Sequence, residues 1–121
     1  MTVADIEMLR KHVRATSSRL RSLSLVSLAA PTAPGERTRA AAALSVVQLL
    51  ADLDAVLQEQ PADMPLDDDV VYAGDAALGD QLAVVGRELI ETLECVQPDD
   101  DRLIAVSTAA ADALVALRME L

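Results

Sequence analysis

Apolar residues recur along this chain at the spacing of an α-helix. From Ile6 to Leu23 they lie three and four residues apart, which places them on one side of a helix. The same spacing returns from Leu78 to Val96 and from Leu103 to Leu121. Each of these stripes predicts a helix that buries one face against its neighbours.

The five prolines lie between these patterns. Proline lacks the amide proton that a helix interior needs and clashes with the preceding turn, so helices end near it. The prolines leave four segments: 1–30, 35–60, 66–97 and 99–121. Segments of this length form helices of roughly 30–40 Å, and short connections favour antiparallel neighbours. The sequence therefore predicts an all-α fold, an antiparallel up-down four-helix bundle, formed by residues 1–121 as a single domain.

Local signals refine the helix ends. The alternation of Ser and Leu over 22–25 is too short for a strand, so the first helix is expected to continue to the first proline. The second helix is expected from Glu36 or Arg37 to Gln60. Glycines in the third segment predict a break near Gly74 or Gly79 and permit close approach of a neighbouring helix. The candidate caps are Thr2 for the first helix, Asp67–Asp69 for the third and Asp99 for the fourth.

The second segment is apolar around most of its circumference. At 100° per residue, more than half of the circumference is covered by Leu44, Val46, Val47, Leu49, Leu50, Leu53, Val56 and Leu57. One core cannot bury all of that surface, so either a second subunit covers the excess, or loop residues and the end of the first helix do. Both alternatives are open. The first predicts a homodimer whose interaction residues are Leu49, Leu53, Val56, Leu25 and Leu28.

Composition narrows the possible sites. Hydrophobic residues make up 52% of the chain, which excludes global disorder, while Tyr72 is its one aromatic residue. The core is therefore aliphatic, and sites that stack a flavin, a nucleobase or a sugar on a ring are disfavoured.

The net charge of −10 is unevenly distributed. Residues 1–39 hold seven bases against three acids, and residues 40–121 hold three bases against seventeen acids. We expect the early bases to be solvated or to pair with the later acids rather than to form an outward basic stripe. No nucleic-acid partner is expected, because the acidic field repels a phosphate backbone.

Location follows from the cysteine and the hydropathy pattern. Cys95 has no second cysteine to pair with, which favours a reducing compartment. Serines interrupt the apolar run near residue 25, and acids precede it, which argues against a secretory signal. No uninterrupted apolar run reaches about 18–20 residues, the length of a membrane span. The sequence predicts a soluble, cytoplasmic protein without a membrane partner.

Residues capable of chemistry are few. His12 is the one histidine, so neither a multi-histidine metal site nor a Ser-His-Asp triad with a second histidine can form. Cys95 is expected to be a half-buried packing residue and not a catalytic nucleophile. Glu88, Glu91 and Glu94 are expected to form a solvated stripe opposite the core. We predict no enzyme activity, no catalytic residue, no cofactor and no metal.

The residues from Lys11 to Ser18 loosely resemble the helix that carries the phosphorylated histidine in histidine phosphotransfer modules. Those modules are four-helix bundles of about this length. Here Arg14 follows His12 at the second position and small residues come after it, but the Leu-Lys-Gly pattern usual after such a histidine is missing. The resemblance implies a phosphotransfer module that uses His12. A carrier of an apolar small ligand is a further alternative. The main expectation is a non-catalytic interaction or regulatory subunit that self-associates.

Overall fold

The computed structural model describes residues 3–32, 37–58, 72–96 and 100–121. Of these residues 85% are helical and none lies in a strand, which confirms the all-α class. The described α-helices are α1 (Val3–Ser22), α2 (Leu25–Ala29), α3 (Arg39–Leu57), α4 (Leu78–Cys95) and α5 (Arg102–Glu120). A 3-10 turn over Asp75–Ala77 leads into α4.

The first segment forms two helices instead of one. Ser24 has an extended backbone, with φ −71° and ψ 160°, and its side chain accepts a hydrogen bond from the Ser27 amide at 3.1 Å. This cap begins α2, so the expectation of one helix up to the first proline is wrong. The bond satisfies an amide that a new helix would otherwise leave without a partner.

The later helices begin further along the chain than predicted. Thr38 caps α3, and its side chain accepts from the Ala41 amide at 3.0 Å. Gly74 has φ +98°, a conformation that glycine adopts readily, which confirms the predicted break there. The candidate caps Thr2, Asp67–Asp69 and Asp99 lie outside the described residues.

The predicted apolar stripes meet in one aliphatic core. Its largest fully buried side chains include Leu9 of α1, Leu50 of α3, Leu82 and Leu89 of α4, and Leu114 of α5. Tyr72 is 53% exposed and lies outside this core. The hydroxyl of Thr16, fully buried on α1, donates to the His12 carbonyl at 2.7 Å, so this polar group keeps a partner inside the core.

Each long helix packs mainly against two others. α1 packs against α4 and α5, and α3 packs against the same two helices. α1 therefore lies across the bundle from α3, and α4 lies across from α5. This arrangement brings α3 and α5 together as neighbours, although α4 separates them in the sequence.

Side-chain contacts along α1 show the direction of two of its neighbours. Arg10 contacts Glu94 near the end of α4, and Arg21 contacts Asp80 near its start, so α1 and α4 are antiparallel. Arg19, near the end of α1, donates to the Leu121 carbonyl just after α5 at 3.0 Å. α1 and α5 are therefore parallel.

Contacts between α3 and α5 complete the topology. Arg102 donates to the Val56 carbonyl at 3.1 Å, and Arg39 donates to the Glu120 carbonyl at 3.3 Å, so these two helices are antiparallel. The four long helices thus run up, down, down and up, and the expected up-down alternation is wrong. The expectation assumed a short connection after α3. Twenty residues separate Leu57 from Leu78, enough to return along the bundle, since roughly ten extended residues span about 30 Å.

Candidate interaction surface

The outward faces of the four long helices differ in charge. On α1 the exposed ionisable residues are Asp5, Glu7, Lys11, Arg14, Arg19 and Arg21, and on α4 they are Asp80, Arg87, Glu88, Glu91 and Glu94. The exposed ionisable residue is Asp52 on α3 and Asp112 on α5. The bundle therefore has a charged side, formed by α1 and α4, and a side with little charge, formed by α3 and α5.

Exposed aliphatic side chains occupy the side with little charge. Leu49 and Val56 of α3 are 36% and 54% exposed, and Met119 of α5 is 84% exposed. We call this surface the α3/α5 face. It consists of Ala41, Ser45, Leu49, Asp52 and Val56 on α3 and of Ala105, Thr108, Ala109, Asp112, Ala116 and Met119 on α5. Ile104, 64% exposed, lies two heptads before Arg118, which contacts α1, so it lies on the α1 side of α5.

The structure separates the five predicted interaction residues. Leu49 and Val56 are exposed on the α3/α5 face, while Leu53 is partly buried against the core. Leu25 is exposed on α2, outside this face. Leu28 is 2% exposed and belongs to the core, because it lies on the inward-facing side of the short helix α2. Leu28 is therefore removed from the predicted surface.

The contribution of α5 was missed from the sequence. The repeat of buried residues from Leu103 to Leu117 forms the core stripe of α5. The sequence prediction considered this stripe and not the exposed residues on the opposite side of the helix. The overlooked signal is that Ile104, Val115 and Met119 fall between the core positions, with alanines around them where charged residues are usual. Val26 of α2, 82% exposed, was missed in the same way.

The early bases pair with the later acids. Arg10 lies 2.8 Å from Glu94, and Arg21 lies 2.8 Å from Asp80, which confirms that expectation for these residues. Each pair is exposed and stabilises the fold by only about 0.2–1 kcal/mol. These pairs join α1 to α4, so the charges stay away from the α3/α5 face.

His12 joins α1 to α5. Its Nδ1 lies 2.6 Å from Nη2 of Arg118, and the half-buried imidazole has a pKa below its ordinary value because of burial and then the nearby guanidinium. Because the guanidinium can only donate, Nδ1 accepts, and the neutral ring carries its proton on Nε2. These contacts give His12 a structural part in the bundle. The phosphotransfer interpretation stays a prediction.

Other groups able to do chemistry lie on the surface. Cys95 is exposed, so the expectation of a half-buried packing cysteine is wrong, and Glu88 and Glu91 are exposed on α4 as predicted. Hydrogen bonds from Arg102 hold the pKa of Asp100 down to about 2. Within the described ranges, no group of three or more His, Cys, Asp or Glu residues could hold a metal ion.

Helix α3 is more apolar than a helix with one buried face requires. By length and composition it could cross a membrane, the one helix in the described part of the chain for which this holds. Core helices of water-soluble proteins pass the same test, and 33% of the apolar window is buried within the bundle. The high apolar content of α3 arises because the helix carries both a core stripe and the aliphatic residues of the α3/α5 face. Comparisons with protein-family models, curated proteins and solved structures gave no match.

Proposed function

We propose that this protein is a non-catalytic four-helix-bundle subunit that acts through protein–protein contact and self-associates as a homodimer. The α3/α5 face is the proposed contact surface. One observation carries the proposal: large aliphatic side chains are exposed where the two neighbouring helices present little charge. Exposed apolar patches of this kind commonly mark interaction sites.

The energetic argument starts from single side chains. Removing one fully exposed Val, Leu, Ile or Met side chain from water stabilises an assembly by about 1.5–3 kcal/mol. The face offers three large aliphatic side chains, Leu49, Val56 and Met119, which are 36%, 54% and 84% exposed, so each contributes a part of this amount. Their burial would offset the loss of translational and rotational freedom that association costs.

Charge explains why the proposed contact uses this side. Two copies with a net charge of −10 repel each other, and the repulsion is weakest where the charged sides stay apart. At physiological ionic strength, charges further apart than about 8 Å are largely screened. Contact through the α3/α5 face keeps the carboxylates of α4 on the far side of each copy. The exposed acids on the two helices that form the contact are then Asp52 of α3 and Asp112 of α5.

Size-exclusion chromatography with light scattering tests the proposal. The unmodified protein is expected to run as a dimer, and the double variant Leu49→Glu/Val56→Glu as a folded monomer, because each new carboxylate would be buried without a partner. The matched control is Val84→Glu, an exposed position on the charged side. It should remain dimeric. A folded monomer for the unmodified protein at all concentrations would overturn the proposal.

A further inference from the structure

We infer that the two copies dock with α3 of each lying antiparallel on α5 of the other, about a two-fold axis along the seam between α3 and α5. The inference rests on the proposed self-association and specifies its geometry. It is argued from the register of the two helices, the side-chain sizes along the seam, and the positions of two acids.

Two contacts set the register of α3 against α5 within one chain. The Val56 carbonyl accepts from Arg102 at one end, and Arg39 donates to the Glu120 carbonyl at the other. Leu49 lies seven residues before Val56 on α3, and Ala109 lies seven residues after Arg102 on α5. These two residues therefore lie at the same level on antiparallel neighbours.

Side-chain size differs across the seam. On α3, Leu49 and Val56 border α5, since the opposite border of α3 carries Asp54 and Gln58, which line a cleft with α4. On α5, Ala109 shares the heptad position of Arg102 and so borders α3. Ala105 lies one turn earlier on the same border. Large aliphatic residues thus line one edge of the seam, and alanines line the other.

Two symmetric arrangements can stack this face on a copy of itself. An axis along the seam preserves the level of every residue and places α3 on the partner's α5. Leu49 then meets the partner's Ala109, and Val56 lies at the level of the partner's Arg102, within one helical turn of the partner's Ala105. An axis across the seam instead places α5 on α5 in reverse, so large residues no longer face the alanines.

The acids favour the first arrangement. Asp112 lies near the middle of α5, which spans Arg102–Glu120. An axis across the centre of the face would bring the two copies of Asp112 together, and like charges held close in an interface cost free energy. With the axis along the seam, Asp112 instead lies within about one residue of the level of Ser45 of the partner's α3. Packing and charge therefore select the same geometry.

The face is large enough for a weak to moderate dimer. Helices of 19 residues are about 28 Å long and about 10 Å wide, so two of them present about 560 Å². Two copies would bury about 1,100 Å², just above the roughly 1,000 Å² expected of a specific interface. A second copy is thus a sufficient occupant of this surface.

Cross-linking between separately prepared variants tests the geometry. In a Cys95→Ser background, Leu49→Cys and Ala109→Cys proteins are mixed, allowed to exchange subunits, treated with a short bismaleimide and weighed by intact mass spectrometry. We expect the mixture to give a covalent dimer with one chain of each kind, in at least fivefold excess over either homodimer. Replacing Leu49→Cys by Ser18→Cys, on the charged side, should remove this product.

The outcomes separate the inference from the proposed function. If the unmodified protein is dimeric but the mixed product does not exceed the homodimers, the seam geometry is wrong and the self-association stands. If Ala109→Cys or Leu49→Cys alone cross-links best, the arrangement with the axis across the seam replaces it. If light scattering finds only monomer, both proposals fail together.

Discussion

Gly86 allows α4 to approach α1 closely. A Cβ atom built on Gly86 would lie 2.6 Å from Cγ1 of Val13, and one built on Gly79 would lie 2.7 Å from Cγ of Arg21. Both distances are too short for a real methyl group. The heptad interval between the two glycines keeps them on the same side of α4, so the contact extends over two turns.

Gly86→Ala is expected to destabilise the protein. Forcing a methyl group against Val13 costs about 1–3 kcal/mol, and the better helix propensity of alanine returns about 1 kcal/mol. Urea unfolding should show a lower midpoint with an unchanged slope. The double variant Gly86→Ala/Val13→Ala should lose less stability than the two single variants combined, because the new methyl group then has space. Additive losses would contradict the steric account.

Small residues were recognised in the sequence as permitting close approach, but their partners were not. Nothing local to Gly86 indicates that Val13, more than seventy residues away, faces it. The same holds for His12 and Arg118, whose contact depends on two helices being brought together. Residue type limits what a position can do, while the tertiary structure chooses its neighbour.

At the scale of the elements, capping side chains decided the boundaries. Ser24 begins α2 and Thr38 begins α3, each by accepting a hydrogen bond from an amide three residues later. Arg39 then ties the start of α3 to α2, since its guanidinium donates to the Ser27 carbonyl at 3.1 Å. The region from α2 to α3 therefore depends on a few polar contacts.

Thr38→Ala is expected to lower stability by about 1 kcal/mol, since it removes the cap of a core helix. Circular dichroism during urea unfolding measures the change. Thr38→Ser keeps the hydroxyl and should retain most of the stability. Ser18→Ala, at an exposed position on α1, controls for simply replacing a hydroxyl by a methyl group. Equal losses in Thr38→Ala and Thr38→Ser would show that the hydroxyl does not act as a cap.

At the scale of the molecule, helix direction distinguishes this fold from a simple alternating bundle. α1 and α5 run parallel, so their last turns lie at the same end, where Arg19 reaches the Leu121 carbonyl. In an alternating bundle the first and last helices would be antiparallel. In this arrangement α3 and α5 are also neighbours, and their shared face depends on that adjacency.

Spin-label distances between α1 and α5 test this topology. In a Cys95→Ser background, labels at residues 18 and 119 should be closer than labels at residues 18 and 105, because fourteen helical residues advance about 21 Å. Dilution with unlabelled protein removes distances between subunits. All three positions are exposed, so the labels should not disturb the core. The opposite order of distances would restore the alternating bundle.

The sequence by itself determined the core stripes of α1, α4 and α5. The stripes from Leu9 to Leu20, Leu78 to Leu93 and Leu103 to Leu117 are buried as their spacing predicts, because helix geometry alone places such positions on one side. It also determined that α3 has more apolar surface than one stripe needs. Helix directions, the burial of Leu28 and the joining of α3 with α5 were decided only by the tertiary structure. These features depend on contacts between residues far apart in the chain, and a local pattern carries no information about which distant helix will be its neighbour.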